Sequence, residues 1–255
     1  MFQITLTPSA GKRLIAKATV EHPAVKSALH EGTIVIVAGT TNGYVAEELL
    51  SRLGQEKEFN RKRFFRGITL PPTIKTGDTG RLPDESQFPG DVVITKGVWQ
   101  KGKTISDVVD NLKQGDVILK GANCVNLPHK QAGILIGHPK GGTIMEALQA
   151  VVGRRVKLIL PVGLEKRISE DLNSVAEMLN DPASTGLRLL PVPGEIITEL
   201  DAITLLSGAQ ATLVAGGGIC GAEGSVWIGV KGNPEQVEKA TKVLDLVVGE
   251  PMFSR

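Results

Sequence analysis

The stretch GTIVIVAGTTNG, residues 32–43, decides the fold class of this chain. Its first half, from Thr33 to Ala38, is an apolar run rich in β-branched residues, which predicts a strand buried on both faces. Its second half is a polar glycine loop, and an apolar repeat at helical spacing follows until Gly54 ends the helix. The order of strand, glycine loop and helix indicates an α/β protein with a parallel sheet.

The same alternation continues on both sides of this stretch. Two helices are predicted upstream, entered at Pro8 and Pro23. Downstream, apolar patterns predict strands at 91–95, 116–120, 132–137 and 156–161, and helices at 139–152 and 168–179. The predicted fold class is therefore α/β, a Rossmann-like parallel sheet with helices on both faces. We assign residues 1–183 to this domain, with an insertion or lid at about 55–103, where the regular pattern fails.

The remaining residues, 184–255, are predicted to form a small α+β unit. Its elements are a strand at 187–191, a helix at 195–206, strands at 209–215 and 224–231, and a helix opened by Asn233 and Pro234. This β-α-β-β-α order is similar to the split arrangement of ferredoxin-like units. A last strand is expected from 247–248 or from elsewhere in the chain.

Composition excludes several classes of function. The 255 residues are 41% hydrophobic and carry a formal net charge of +2, too close to balance for a protein that binds nucleic acid through phosphates. The two cysteines, Cys124 and Cys220, are too few for a disulfide framework and lie in no metal-ligand spacing. No signal-peptide core or bilayer-length apolar stretch is evident. We expect a cytoplasmic homo-oligomer without a membrane role, metal or cofactor.

The first candidate site is the loop of Gly39, Thr40, Thr41, Asn42 and Gly43. A glycine-rich turn that enters a helix presents backbone N–H groups and the positive end of the helix dipole to an anion. The spacing matches neither the P-loop nor the dinucleotide fingerprint. Plain helix capping by Thr and Asn is the alternative interpretation.

The second candidate, Lys120, Gly121 and Asn123, follows the strand predicted at 116–120. The carboxyl end of a parallel strand is where ligands bind in open α/β sheets. The alternative is a tight turn in which glycine and asparagine only adopt unusual backbone angles.

The third candidate, Lys140, Gly141, Gly142 and Thr143, opens the helix predicted at 139–152, and Lys140 is placed to meet an anion. Glu146 follows within the first turns and either faces the crevice as a general base or complements the helix dipole. Because this segment and the loop at 39–43 both follow apolar strands, we expect them to converge on one crevice at the carboxyl ends of adjacent strands.

Together these segments resemble the superfamily that unites ribose-5-phosphate isomerase, glucosamine-6-phosphate deaminase and the CoA transferases. The strand and loop at 32–43 are followed by DVILKGAN at 116–123, similar to a family strand that ends in Gly-Ala-Asp. KGGT at 140–143 looks like the family's Lys-x-Gly-Thr helix start, and Lys166 lies just beyond the next strand. The resemblance covers about 25–167 apart from the insertion. It implies a Rossmann-like fold and a phosphorylated small-molecule ligand.

One departure from the family pattern concerns catalysis. Asn123 stands where the family has an aspartate that several of its isomerases use for proton transfer. An amide cannot act as a general base, although it can hydrogen-bond a hydroxyl or carbonyl. Glu146 is the expected substitute, since ribose-5-phosphate isomerase also takes a glutamate from this helix, at a different spacing.

The resemblance implies an isomerase of a sugar phosphate or related phosphorylated metabolite, acting through an enediol. Phosphate is expected on the loop at 39–43, with Lys140 balancing charge, Asn123 holding a hydroxyl or carbonyl and Glu146 moving the proton. A non-catalytic metabolite-sensing or regulatory protein of the same fold is the alternative, favoured by the lost aspartate. A CoA transferase is the second alternative, and Glu223 in the glycine-dense loop at 215–224 is its candidate nucleophile.

Overall fold

The computed structural model describes residues 1–66 and 90–253, so the middle of the predicted insertion or lid lies outside the described residues. In these two ranges the chain forms the helices α1 Pro8–Glu21, α2 Pro23–Glu31, α3 Thr40–Arg52, α4 Ile105–Val108, α5 Gly142–Arg154, α6 Leu172–Asn180, α7 Glu199–Ser207 and α8 Pro234–Asp245. Its strands are β1 Phe2–Leu6, β2 Thr33–Ile36, β3 Val92–Thr95, β4 Val98–Trp99, β5 Val117–Leu119, β6 Cys124–Asn126, β7 Gln131–Ile136, β8 Lys157–Pro161, β9 Arg188–Val192, β10 Glu195–Ile197, β11 Gln210–Gly216 and β12 Val226–Lys231.

The central sheet has six strands in the order β10-β8-β5-β2-β3-β4. The first four run parallel, which confirms the prediction of an α/β chain with parallel strands. The sheet is mixed, because β3 runs antiparallel to β2 and β4 antiparallel to β3. Two residues with positive φ, Lys96 and Gly97, join β3 to β4, and so short a turn can connect only antiparallel strands.

Strand β2 is buried on both faces because helices or strands cover each side of the central sheet. Ile34 and Ile36 face one core, which is closed by α1, α2 and α3. Val35 faces the other core, which is closed by α4, α5 and a small sheet of the order β6-β7-β9. The continuous apolar run of β2 therefore reflects burial on both sides, as expected.

Strand β7 corrects the predicted topology. It does not join the parallel sheet, but pairs antiparallel with β6 and with β9. A short turn between β6 and β7, with Lys130 at positive φ, reverses the chain immediately. A parallel neighbour would instead require a crossover of a dozen or more residues. The second face of the central sheet is thus shared between helices and an antiparallel sheet.

The predicted C-terminal ferredoxin-like unit is not confirmed. Strand β9 pairs with β7, and β10 joins the central sheet beside β8. The remaining strands β11 and β12 form a three-stranded sheet with β1, a strand that the sequence analysis missed. The helix predicted from residue 195 begins at Glu199, because Thr198 and Asp201 form a capping box there. The boundary between 183 and 184 stays a prediction.

A buried carboxylate joins three parts of the central sheet. Asp91, fully buried just before β3, accepts hydrogen bonds of 2.9 Å each from the backbone N–H groups of Ala38 and Ile105. Its Oδ1 also lies 3.3 Å from the Arg66 guanidinium. One side chain thereby fixes the end of β2, the start of β3 and the start of α4.

Replacing this carboxylate should destabilise the fold strongly. We expect Asp91→Ala to lower the free energy of unfolding by about 2–5 kcal/mol, because two buried N–H groups and a guanidinium lose their acceptor. The matched control is Asp110→Ala, at an exposed site, with an expected change within about 0.5 kcal/mol. Urea denaturation measures both. Equal midpoints for the two variants would contradict this account.

Candidate functional site

A cavity of about 320 Å³, here called the inner crevice, opens at the carboxyl ends of β2, β5 and β8. The carboxyl ends of parallel strands lie at the same edge of a sheet, so segments far apart in sequence come together there. The inner crevice is lined by Lys12, Ala38, Gly39, Thr40, Thr41, Arg66, Lys120, Gly121, Ala122, Asn123, Glu165 and Lys166.

The predicted loop at 39–43 is shorter than expected, because α3 begins at Thr40 with Gly39 as its N-cap. Gly39 has no side chain to cap the helix, so the first N–H groups of α3 have no capping acceptor from that residue. Thr41 Oγ1 is buried and has no hydrogen-bond partner among the residues that the structure describes. These donors lie on the wall of the inner crevice and suit an anion.

Asn42 and Gly43 do not line the crevice, although the sequence analysis placed them in the anion site. The Asn42 side-chain amide donates to the carbonyl oxygens of Val37, at 2.7 Å, and Leu119, at 2.9 Å. It therefore joins the ends of β2 and β5. Gly43 lies against Arg61, whose side chain leaves no room for a β-carbon.

Four cationic side chains, Lys12, Arg66, Lys120 and Lys166, line the inner crevice. Burial lowers the pKa of Lys120 to about 8, while Asp91 opposes this shift and the neighbouring cations add to it. Burial likewise lowers the pKa of Lys166, whose Nζ donates to the carbonyl oxygen of Ala122 at 2.8 Å. An anion between these groups would offset their mutual repulsion and their lost hydration.

Asn123 borders the crevice but is held by the backbone. Its Oδ1 accepts a hydrogen bond of 3.0 Å from Leu135 N–H, and its own N–H donates to Gly133. These bonds fix β7 against the end of β5. The side-chain Nδ2 donates to no group within the part of the chain that the structure describes, and it remains the one donor of this amide that a ligand can use.

A second cavity, of about 640 Å³, adjoins the first and is here called the outer crevice. The two share Ala38, Arg66, Lys120 and Asn123, and the outer crevice is further lined by Thr104, Ser106, Ile134, Leu135, Ile136, Gly137, His138, Lys140, Gly141, Gly142, Thr143, Ile144 and Glu146. The predicted third segment thus lies at the outer crevice and the 39–41 loop at the inner one. The strand before the third segment, β7, is not part of the parallel sheet. The prediction that the two segments follow adjacent parallel strands was therefore wrong.

The start of α5 depends on two glycines rather than on Pro139. Gly141 and Gly142 have φ values of 79° and 64°, in the left-handed region that favours glycine, and the helix begins at Gly142. Glu146 is half-buried in the first turns, and its carboxylate accepts a hydrogen bond of 2.7 Å from Ser106 Oγ. Glu146 lines the outer crevice but not the inner one, and Lys140, which lines the same cavity, is exposed.

The inner crevice contains a carboxylate that the sequence analysis did not select. Glu165, in the short 3₁₀ helix Leu164–Lys166 after β8, forms an ion pair of 2.8 Å with Lys12 through Oε1. Its Oε2 is buried and has no hydrogen-bond partner within residues 1–66 and 90–253. A β-carbon at Gly163 would overlap this oxygen, so the glycine provides the space that the carboxylate occupies. The strand-end rule used for Lys120 would also have selected Glu165.

Behind Glu165 lies a second carboxylate, Glu199, at the start of α7. It is buried, and its Oε2 accepts a hydrogen bond of 2.9 Å from Leu164 N–H. Burial first, and the charge of Glu165 second, raise its pKa to about 7. A β-carbon at Gly11, inside α1, would overlap its other oxygen. Over 1–66 and 90–253, no cluster of three His, Cys, Asp or Glu side chains is arranged to hold a metal ion.

Glu223 and its glycine-dense loop lie outside both crevices. The exposed carboxylate accepts a hydrogen bond of 2.9 Å from Gly221 N–H in its own loop. Gly224 comes close to the site, since a β-carbon there would lie 3.8 Å from Cβ of Glu165. Among the described helices, none is both long and apolar enough to cross a membrane.

The raised pKa of Glu199 predicts a pH-dependent stability. Its ordinary pKa is 4.5 and its folded pKa about 7, so between these pH values the native chain holds a proton that the unfolded chain has released. Stability from this group is therefore present below pH 4.5 and lost as the pH rises through 7. Relative to the wild type, the free energy of unfolding of Glu199→Gln should therefore rise by on the order of 3 kcal/mol between pH 4.5 and pH 8. Denaturant titrations at both pH values test this, and a difference independent of pH would contradict it.

Comparisons of this chain with protein-family models, with curated proteins and with solved structures found no match. Its function is therefore inferred from the residues of the two crevices.

Proposed function

We propose that the inner crevice binds the phosphate group of a small phosphorylated metabolite and that the protein isomerises this metabolite through an enediol. One observation carries the proposal: four cationic side chains line a cavity of about 320 Å³ together with the first turn of α3. The donors are of three kinds, namely ammonium and guanidinium groups, helix N–H groups and the Thr41 hydroxyl. Phosphate has acceptor oxygens for all of them.

Electrostatics supports a dianionic ligand in particular. Burial lowers the pKa values of Lys120 and Lys166, and the neighbouring cations Arg66 and Lys166 lower that of Lys120 further. Glu165 neutralises only part of this charge, since its bonded oxygen is already paired with Lys12. A phosphate dianion would restore full protonation of the lysines and compensate for the water they have lost.

The outer crevice gives a place to lie to the part of the metabolite that extends beyond the inner crevice. It continues from the inner crevice past Asn123, and its volume of about 640 Å³ suits a sugar-sized molecule. Glu146 borders it and Glu165 borders the inner crevice, so carboxylates are available at both ends of the ligand. In an enediol mechanism a carboxylate removes a proton beside the carbonyl, and cations stabilise the oxyanion that forms. Lys120, shared by both cavities, is placed for that second role.

The superfamily resemblance and its Rossmann-like fold are part of this proposal. The parallel strand order β10-β8-β5-β2 supports them, as does the position of the 39–41 loop at the carboxyl end of β2. A cytoplasmic homo-oligomer also remains a prediction.

Metabolite sensing without catalysis is the second candidate function. Asn123 favours it, since this amide replaces the family's carboxylate and is held by the Leu135 N–H group. CoA transfer has less support, because Glu223 is bonded within its own loop and lines neither crevice.

Removing one crevice lysine should weaken phosphate binding specifically. We expect Lys166→Met to raise the dissociation constant for inorganic phosphate about tenfold or more, since it deletes a charge-assisted hydrogen bond. Lys113→Met is the matched control, because Lys113 is exposed and lines neither cavity. Isothermal titration calorimetry measures both affinities. Wild-type protein that binds no phosphate, or a Lys166→Met variant that binds it equally well, would contradict the proposed site.

Turnover separates the two candidate functions once binding is established. We expect the protein to interconvert at least one aldose phosphate and its ketose, measured by ¹H NMR on ribose 5-phosphate, glucose 6-phosphate and glyceraldehyde 3-phosphate. Phosphate binding without turnover of any of these sugars would support sensing instead.

A further inference from the structure

We propose that Glu165 is the catalytic base of the inner crevice, moving the proton between the two carbons of the enediol. This inference rests on the proposed isomerase function and assigns within it the role that the sequence analysis gave to Glu146. It is carried by the positions and hydrogen bonds of the carboxylates around the two crevices.

Four carboxylates within residues 1–66 and 90–253 lie near the site, and three of them are engaged elsewhere. Asp91 accepts two backbone N–H groups and pairs with Arg66, so its oxygens are occupied. Glu199 is buried behind the crevice wall and bonds to Leu164 N–H. Glu146 lies at the outer crevice, away from the Lys12 and Lys166 side of the site, and accepts from Ser106. Glu165 alone of these four lines the inner crevice.

The second step concerns the unsatisfied oxygen of Glu165. Leaving a buried acceptor without a hydrogen bond costs about 1–3 kcal/mol, and more for a charged group. Glu165 Oε2 is such an acceptor, and the missing side chain of Gly163 gives it room. A ligand group in the inner crevice would satisfy this oxygen.

The third step is the role of Lys12. Its Nζ lies 2.8 Å from Glu165 Oε1, and both side chains line the crevice. A bound phosphate competes with Glu165 for this ammonium group, so ligand binding frees carboxylate oxygens at the moment they are needed. The ion pair keeps Glu165 oriented in the meantime.

The proton transfer balances without any co-reactant. Glu165 removes a proton from the carbon next to the carbonyl, the C–H electron pair forms the C=C bond, and the carbonyl π pair moves onto oxygen. Lys120 or Lys166 faces the resulting oxyanion. Glu165, now a carboxylic acid, returns the proton to the former carbonyl carbon. The remaining hydroxyl proton moves to the former carbonyl oxygen, which becomes the new hydroxyl group. The aldose becomes the ketose and the carboxylate is regenerated.

Deuterium exchange tests this assignment. The wild type in D₂O should incorporate deuterium from solvent at the carbon next to the carbonyl of the sugar phosphate that it turns over. Glu165→Gln should slow both this exchange and turnover about a hundredfold or more. Its affinity for inorganic phosphate, measured by calorimetry, should be equal to or higher than that of the wild type, because Lys12 no longer pairs with a carboxylate. The matched control is Glu177→Gln, for which we expect unchanged rates, because Glu177 is exposed on α6 and lines neither crevice.

A second variant displaces the carboxylate without removing it. Gly163 has a φ of −76°, which any residue adopts, so Gly163→Ala adds only a methyl group where Oε2 lies. We expect this variant to fold, to bind phosphate and to lose at least tenfold in exchange rate, since proton transfer depends on position. A Glu165 with a purely structural role would lower stability in these variants and leave the exchange rate per folded molecule unchanged.

The outcomes separate the two proposals. If the wild type exchanges deuterium and Glu165→Gln exchanges it equally fast, Glu165 is not the base, whereas the isomerase function stands; Glu146→Gln then identifies the rival. If the wild type binds phosphate but exchanges deuterium into none of the three sugars, isomerisation fails and the role of Glu165 fails with it.

Discussion

The candidate site depends on the complete enclosure of β2. Apolar cores cover both of its faces, and β5 and β3 pair with both of its edges. Polar groups at the end of such a strand have no access to bulk water, so side chains must satisfy them. The Asn42 side-chain amide donates to the carbonyl oxygens at the ends of β2 and β5. The Asp91 carboxylate accepts from the N–H of Ala38. These bonds fix the first turn of α3 and with it one wall of the inner crevice.

Charge is concentrated in this crevice at the expense of stability. Burial lowers the pKa of Lys120 and Lys166 and raises that of Glu199, so each charged form is disfavoured in the folded chain. A protein selected only for stability would replace such groups by apolar ones of similar volume. The excess of cations that line the inner crevice supports the proposal that its ligand is an anion.

Two glycines leave room for the carboxylates without adopting a positive φ. Gly11 lies inside α1, where alanine would be favoured by about 1 kcal/mol, and Gly163 has ordinary backbone angles. Their common property is the space that a missing β-carbon leaves for Glu199 and for Glu165. Conformational freedom is the usual reason for glycine, but here close packing of a charged side chain explains both positions.

The sequence by itself determined the elements whose formation depends on residues close to one another along the chain. The apolar run of β2, the proline-entered helices α1 and α2 and the strand-end position of Lys120 were all predicted, because periodicity and capping are local. Tertiary structure decided which sheet β7 and β10 join and that β1 pairs with β12, since strand pairing is long-range. It also brought Lys12, Arg66 and Glu165 to one cavity from three distant segments. No local pattern marks Lys12 or Arg66, because a site at a sheet edge is assembled by the order of the strands and not by spacing along the chain.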